Sequence, residues 1–397
     1  MKILFICNKS PYPAKEGAPI AMNMFIEGLT ENGHSVKVLT VSSEKYTICD
    51  NEIPEDYRLK TNIESVFIDL RIKAFAALKC FLLNKSYHIQ RFISQEFEDK
   101  IRVILETENF DVIQMESLFV APYLDKIRQL SKAKIILRAH NVEHKIWEDI
   151  AQQTTNPLKR FYIQHLAKTL KKYELNSLAK FDGIISISAE DKNYFKHHCD
   201  GTTITDISFG VDSCEYENLD SEVEHPSIFH LGAMNWIPNA QGIHWFIKQV
   251  WPEIHKLYPD LKLYLAGNAM PDEILKINHS NIHVEGFVDD PKKFISSKAI
   301  MIVPLFSSSG VRIKIIEGMA AGKAIISTAK GTTGIQCEHE KNILIADSKE
   351  EFIHSIKRCV EDSNFTQKLG LNAKEFISKN HNKQALIQKL IDFYSKI

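Results

Sequence analysis

Short apolar runs alternate with helical patterns along almost the whole chain. In the first half the runs are KILFIC, SVKVLTV, SVFIDL, DVIQME, KIILRAH and GIISIS; in the second they are SIFHLG, LKLYLAG, IHVEGF, AIMIVPL, AIIST and NILIA. Strand-like runs separated by helices are the signature of an α/β architecture with parallel sheets. Two such series predict two sheets, and hence two domains. The break falls at FGVDSCEYENLDSEVEHP, Phe209 to Pro226, which is acidic, weakly periodic and closed by a proline before the next strand. The expected organisation is a first domain over 1–208, a linker over 209–226, a second domain over 227–380 and a terminal segment over 381–397. Ser348 followed by Glu351 predicts a capping box and a helix through about Val360. The terminal segment contains NKQALIQKLIDFYSKI, one more amphipathic helix with no strand after it.

Composition agrees with two cores, since 397 residues at 44% hydrophobic content can bury more than one. Lysine plus arginine number 49 against 50 acidic residues, so overall charge draws no nucleic acid to the chain. The seven cysteines are scattered and never spaced as Cys-x-x-Cys, which argues against a disulfide framework or zinc ribbon and for a reducing cytoplasm. The start, MKILFICNKSPYP, reads as a buried strand entering a loop, so no signal peptide is expected. No apolar run reaches the length of a spanning helix. Two stretches are both basic and apolar, Arg71 to Phe92 and Lys159 to Glu174. They suit either peripheral contact with a lipid interface or plain packing on their own domain.

The candidate chemistry gathers at VPLFSSSGVRIKIIEGMAAGKAIIST, Val303 to Thr328, where a strand, a small hydroxylated turn and a helix follow one another. Ligands of doubly wound sheets sit beyond the carboxyl ends of strands, and the free amides of a helix start favour an anion. A helical wheel sets Lys314, Glu317 and Ala321 on one arc and Ile313, Ile316 and Ala320 on a buried one. A cation there suits a phosphate, and a carboxylate suits vicinal sugar hydroxyls. The competing reading is an i, i+3 ion pair on a solvated face. A P-loop is excluded, because Gly318 and Gly322 enclose only three residues and Ala324 stands where Ser or Thr is needed. His140 closes the strand of KIILRAHNVEHKIWE, at the rim of the first sheet. With Glu143 and His144 it also spells the H-x-x-E-H motif of some zinc peptidases. That motif needs both histidines on one helix, whereas His140 ends a strand and Glu143 opens the next helix. Gly17, in YPAKEGAPIAMNMF, has no G-x-G-x-x-G around it, so a dinucleotide dehydrogenase is not indicated.

The stretches FHLGAMNWIPNAQGIHWFIKQVWPEI, LYLAGNAMPDEI, VEGFVDDPKKF and VPLFSSSGVRIKIIEGMAAGKAIISTAKGTTGI, in this order, resemble the retaining GT-B glycosyltransferases of bacterial surface-glycan pathways. The resemblance implies two Rossmann-like domains facing across a cleft, with the final helix returning to the first. It also implies a nucleotide-diphosphate sugar as co-substrate, a glycan or lipid-linked acceptor, no cofactor or metal, and a place in the cytoplasm or at the inner membrane face. In that family two glutamates with seven residues between them hold the donor. Glu317 matches the second, which binds the ribose, while Ser309 occupies the place of the first, leaving the amides of Ser308, Ser309 and Gly310 to replace it. The family's Arg and Lys after the first strand of the second domain are absent from GAMNWIPN, which offers Gly232 and Asn235 instead. Arg312 and Lys314 are the expected source of the missing charge. His140 is expected beside the donor sugar and Gly17 beneath its phosphates. A sugar-nucleotide epimerase or phosphorylase of the same fold is the alternative.

Overall fold

The computed structural model describes residues 1–14, 16–47, 53–199, 201–216, 222–277, 279–307 and 310–397. They form two units, Met1–Ser208 together with Ile387–Ile397, and Phe209–Leu386.

The first unit is built on β1 (Lys2–Cys7), β2 (Ser35–Ser42), β3 (Glu64–Phe67), β4 (Val112–Glu116), β5 (Lys134–Ala139), β6 (Gly183–Ser186) and β7 (Thr203–Asp206). All pairings are parallel, in the order β3-β2-β1-β4-β5-β6-β7. The central strands are buried on both faces, which is why they read as unbroken apolar runs. The edge strand β7 has no such run. Its residues TITD offer one buried apolar side chain, Ile204, so hydrophobic pattern alone predicts six strands where the sheet has seven.

The second unit carries β8 (Glu224–Leu231), β9 (Lys262–Ala266), β10 (Ile282–Gly286), β11 (Lys298–Val303), β12 (Ala324–Ser327) and β13 (Leu344–Ile345), parallel and ordered β10-β9-β8-β11-β12-β13. The two orders share one consequence. Chain direction across each sheet reverses beside its first strand, between β1 and β4 and between β8 and β11, and there the loops diverge to leave a crevice at the carboxyl ends. Within 209–226 the described residues bridge Val211 to Asn382, form the short 3-10 turn Ser213–Tyr216 and begin β8.

Local rules account for the helices. Ser348 accepts the Glu351 amide at 3.2 Å while the Glu351 carboxylate accepts the Ser348 amide at 3.0 Å, which closes the capping box of helix Lys349–Glu361. The stretch NAQGIHWFIKQVWPEIHKLY, which reads as one helix, is interrupted by a π-turn at Phe246–Val250. Pro252 explains it, since its ring lacks an N–H and crowds the carbonyl one turn back. The last helix, Lys383–Lys396, lays Ile387 over Gly28 and Phe393 over Gly183, and its Tyr394 hydroxyl donates to Gln114 of β4.

Candidate active site

In the second unit the end of β8 and the helix after β11 meet through side chains, Lys314 with His230 and Asn239. Helix Ile313–Ala320 starts at Arg312, whose side chain does not cap its first turn. Burying Ile315, Ile316, Met319 and Ala320 leaves Lys314 and Glu317 on the other arc. The buried arc differs from the wheel's in one respect: Ile315 and Met319 form its centre, and Ile313 is only half-buried.

Lys314 and Glu317 are half-buried, and among the described residues they form no ion pair with each other, contrary to the solvated-pair reading. The Lys314 ammonium donates to Asn239 Oδ1 at 2.8 Å and lies 3.4 Å from His230 Nε2. His230, buried at the end of β8, donates from Nδ1 to the Ile302 carbonyl at 2.8 Å, so Nε2 keeps its lone pair for the lysine. Gly232 is what lets the amine in, because a Cβ there would meet Lys314 Nζ at 2.3 Å. Burial, with Arg312 close by, pushes the Lys314 amine down to about 7. Burial and the lysine's charge also hold His230 well below its ordinary value.

Glu317 shares a hydrogen bond with the hydroxyl of Tyr216, and burial pushes its carboxyl up to about 7 against the pull of Lys292 and Lys314. Arg312 stacks 4.9 Å over the Trp236 ring and donates from Nη2 to the Gly310 carbonyl at 2.7 Å. Gly310 takes a left-handed φ of 73°, which glycine adopts without strain. Arg312, Lys314 and Gly232 thus stand around one spot, with Glu317 one turn further along the helix. Asn235 is exposed on its loop, and the amide that reaches Lys314 is that of Asn239. Ser308 and Ser309 lie outside the described residues.

In the first unit the crevice between β1 and β4 is lined by the residues that pair at its end, Cys7 and Glu116. Glu116 is fully buried and accepts from His140 Nε2 at 2.5 Å, Arg138 Nη1 at 3.1 Å and Gln114 Nε2 at 2.6 Å. Burial alone would raise its pKa, but the Arg138 charge and the His140 bond hold it down at about 2. A carboxylate only accepts, so His140 donates from Nε2 and turns the lone pair of Nδ1 away from the network. Burial lowers the His140 pKa despite Glu116, which keeps the ring neutral. No described residue hydrogen-bonds Arg138 Nε or Nη2; the face of Phe25, 4.6 Å from the guanidinium, covers it. Ser117, directly after Glu116, holds a φ of 89° that side-chain-bearing residues seldom adopt, a local strain at the crevice. Gly17 is the exposed first residue of helix Gly17–Glu31 and sits apart from these contacts.

The zinc reading fails on geometry. His144 opens helix Glu143–Gln153, and both its ring nitrogens are committed, Nδ1 to Glu174 at 2.5 Å and Nε2 to the Tyr194 hydroxyl at 2.9 Å. His140 is bound to Glu116, so the two histidines share no point for a metal.

Residues 225–362 match the model of the family "Glycosyl transferases group 1". Over the whole chain, the fold matches a sucrose-phosphate synthase from Thermosynechococcus elongatus with a TM-score of 0.71 at 14% identity, covering 100% of this chain and 99% of that one. In that segment the chain is similar to the group 1 glycosyl transferases, and the fold of the whole chain is GT-B. The chain is also similar to HepE of Anabaena, solved in complex with UDP, with a TM-score of 0.68, 14% identity and 100% coverage of both chains. Among curated relatives it is 23% identical over 408 residues, 98% of each chain, to an uncharacterized 44.6 kDa protein in the cps region of Klebsiella pneumoniae. The matched segment contains Gly232, Asn239, Arg312, Lys314 and Glu317, while the network around His140 lies outside it.

Sequence reading missed Glu116, Arg138, Gln114, His230, Asn239, Tyr216 and Trp236. Four of them carry a legible signal, a polar residue inside a buried apolar strand: Gln114 and Glu116 in DVIQME, Arg138 in KIILRAH, His230 in SIFHLG.

Proposed function

We propose that this chain is a glycosyltransferase that moves a hexose-type sugar, with retention and without a metal ion, from a nucleoside-diphosphate sugar to a glycan or lipid-linked acceptor in surface polysaccharide synthesis. One observation carries the reading. Lys314 and Glu317 stand one turn apart at the crevice of the second sheet, each desolvated and each drawn toward neutral pH from its own side. A diphosphate would recharge the lysine, and a ribose diol would be gripped by the ionised glutamate. Arg312 and the first amides of helix Ile313–Ala320 add fixed positive charge where the departing diphosphate gains negative charge. His140, neutral and oriented by Glu116, takes the donor-sugar contact. The UDP-bound neighbour supports uridine as the base, and the cps-region relative supports a surface-glycan product.

A thermal-shift panel of UDP, GDP, ADP and their sugars tests the donor site. A ligand at a hundred times its dissociation constant stabilises by about 2.7 kcal/mol, so UDP and one UDP-sugar should stand out. A flat panel would remove the donor reading. Glu317→Gln should weaken uridine, UDP and the UDP-sugar alike, by about tenfold, because the same hydroxyl bonds are lost from each. Transfer should also persist in excess EDTA. Activity lost on chelation and restored by manganese would replace the fixed-cation mechanism with a metal-assisted one.

A further inference from the structure

The first unit carries a face that its main core does not use. Helix Ala74–Leu82 turns Ala77 and Cys80 inward, where with Tyr87 and Leu166 they make a small separate core. Its Phe81 packs against Phe161, Tyr162 and His165 of helix Pro157–Leu178, with ring centroids 6.4, 6.2 and 4.4 Å away. The opposite stripe is also apolar. Phe75, Leu78 and Leu82, at i, i+3 and i+7, point outward, and Phe75 and Leu82 are 82% and 73% exposed. Leu158 and Phe161, 81% and 63% exposed, continue this surface onto the neighbouring helix.

Its charge is one-sided. The chain has near-zero net charge, yet no acidic residue occurs between Asp69 and Glu96 or between Asp149 and Glu174, the two segments that build the face. Lys79 and Lys85 flank the first apolar stripe, and Lys159 and Lys168 lie along the second helix. All four are exposed, and none makes an ion pair among the described residues. Arg71 and Lys73, by contrast, are engaged by Asp69.

We propose that this face docks the enzyme on an anionic lipid bilayer, the apolar stripe entering the acyl boundary and the lysines meeting lipid phosphates. A second copy is a poor occupant, because two such faces would bring like charges together. A uniformly negative apolar boundary matches both features at once. No helix among the described residues is long and apolar enough to cross a membrane, so the contact is interfacial. The inference stands apart from the donor site, since no residue of one belongs to the other.

The full chain is sedimented with phosphatidylcholine vesicles and with mixed phosphatidylcholine and phosphatidylglycerol vesicles. It should bind the mixed vesicles preferentially and leave them as salt rises. Lys79→Gln and Lys85→Gln should each weaken binding about fivefold. The pair Phe75→Ser and Leu82→Ser should abolish it, with the melting temperature and the UDP-induced shift unchanged because both side chains are exposed. Equal sedimentation with both vesicle types, sedimentation with neither, or binding of the two lysine variants and of the Phe75→Ser and Leu82→Ser pair like the parent would overturn the proposal. So would a parent dimer that dissociates on Phe75→Ser and Leu82→Ser without binding vesicles.

Discussion

Arg138→Met should destabilise the first unit by about 3–5 kcal/mol, the cost typical of removing one partner from a buried ion pair. Arg138 is 1% exposed and Glu116 is fully buried, so no solvent screens their interaction. Without the guanidinium, Glu116 keeps, among the described residues, only His140 and Gln114 as side-chain partners. The pH dependence gives an independent signature. In the parent, Glu116 titrates near 2 when folded, against an ordinary 4.5, so its contribution is present above 4.5 and lost as pH falls toward 2. In Arg138→Met the folded carboxyl rises, and that window of acid sensitivity should vanish. Arg138→Met combined with Glu116→Leu should recover much of the loss, because no buried charge then remains unpaired. Calorimetric scans of the full chain from pH 2 to pH 7 read all of these outcomes. An Arg138→Met protein that melts with the parent would show that the pair does not hold a charge. The same variant should impair transfer beyond its stability loss, since the network that orients His140 is also loosened.

The parallel α/β pattern was legible because β1, β4, β5, β8 and β11 are covered on both faces, and such strands can hardly be written in other letters. The edge strand β7 was not, since an edge needs few apolar residues. The capping box at Ser348 and the turn at Val303–Thr328 were legible for a different reason: both are local, with every partner within a few residues. What escaped was non-local. Asn239 stands 75 residues from Lys314 in sequence, and only folding brings its amide to the amine. Tyr216 lies in a segment that reads as a linker, yet it holds Glu317. Tyr394 reaches Gln114 across 280 residues, tying the last helix to the strand that carries Glu116. The polar letters inside DVIQME, KIILRAH and SIFHLG were visible all along, and a buried polar residue demands a partner. Pattern shows that such a partner exists; the fold is needed to say which.

Lys314→Ala should weaken UDP and the UDP-sugar about ten- to hundredfold, the worth of a charge-assisted hydrogen bond, and leave uridine almost untouched. The distinction follows from where the amine sits, beside Gly232 and Arg312 rather than at Glu317. Its proton makes the prediction sharper. In the empty site burial and Arg312 depress the amine to about 7, and a bound diphosphate must raise it again by supplying the opposite charge. A group whose bound pKa exceeds its free one favours binding fully below the free value and loses that advantage as pH rises from the free value through the bound one. UDP affinity in the parent should therefore fall as pH increases above 7, and binding above that pH should take up protons. Glu317 works the other way. Its carboxyl, raised to about 7, grips hydroxyls best when ionised, so uridine affinity should rise through the same range. Affinity for UDP should peak near neutral pH, and Lys314→Ala should leave only the rising limb. Calorimetry in buffers of differing ionisation enthalpy measures both the affinity and the proton uptake. A parent that binds UDP without pH dependence, or a Lys314→Ala variant that binds it unchanged, would place the diphosphate elsewhere.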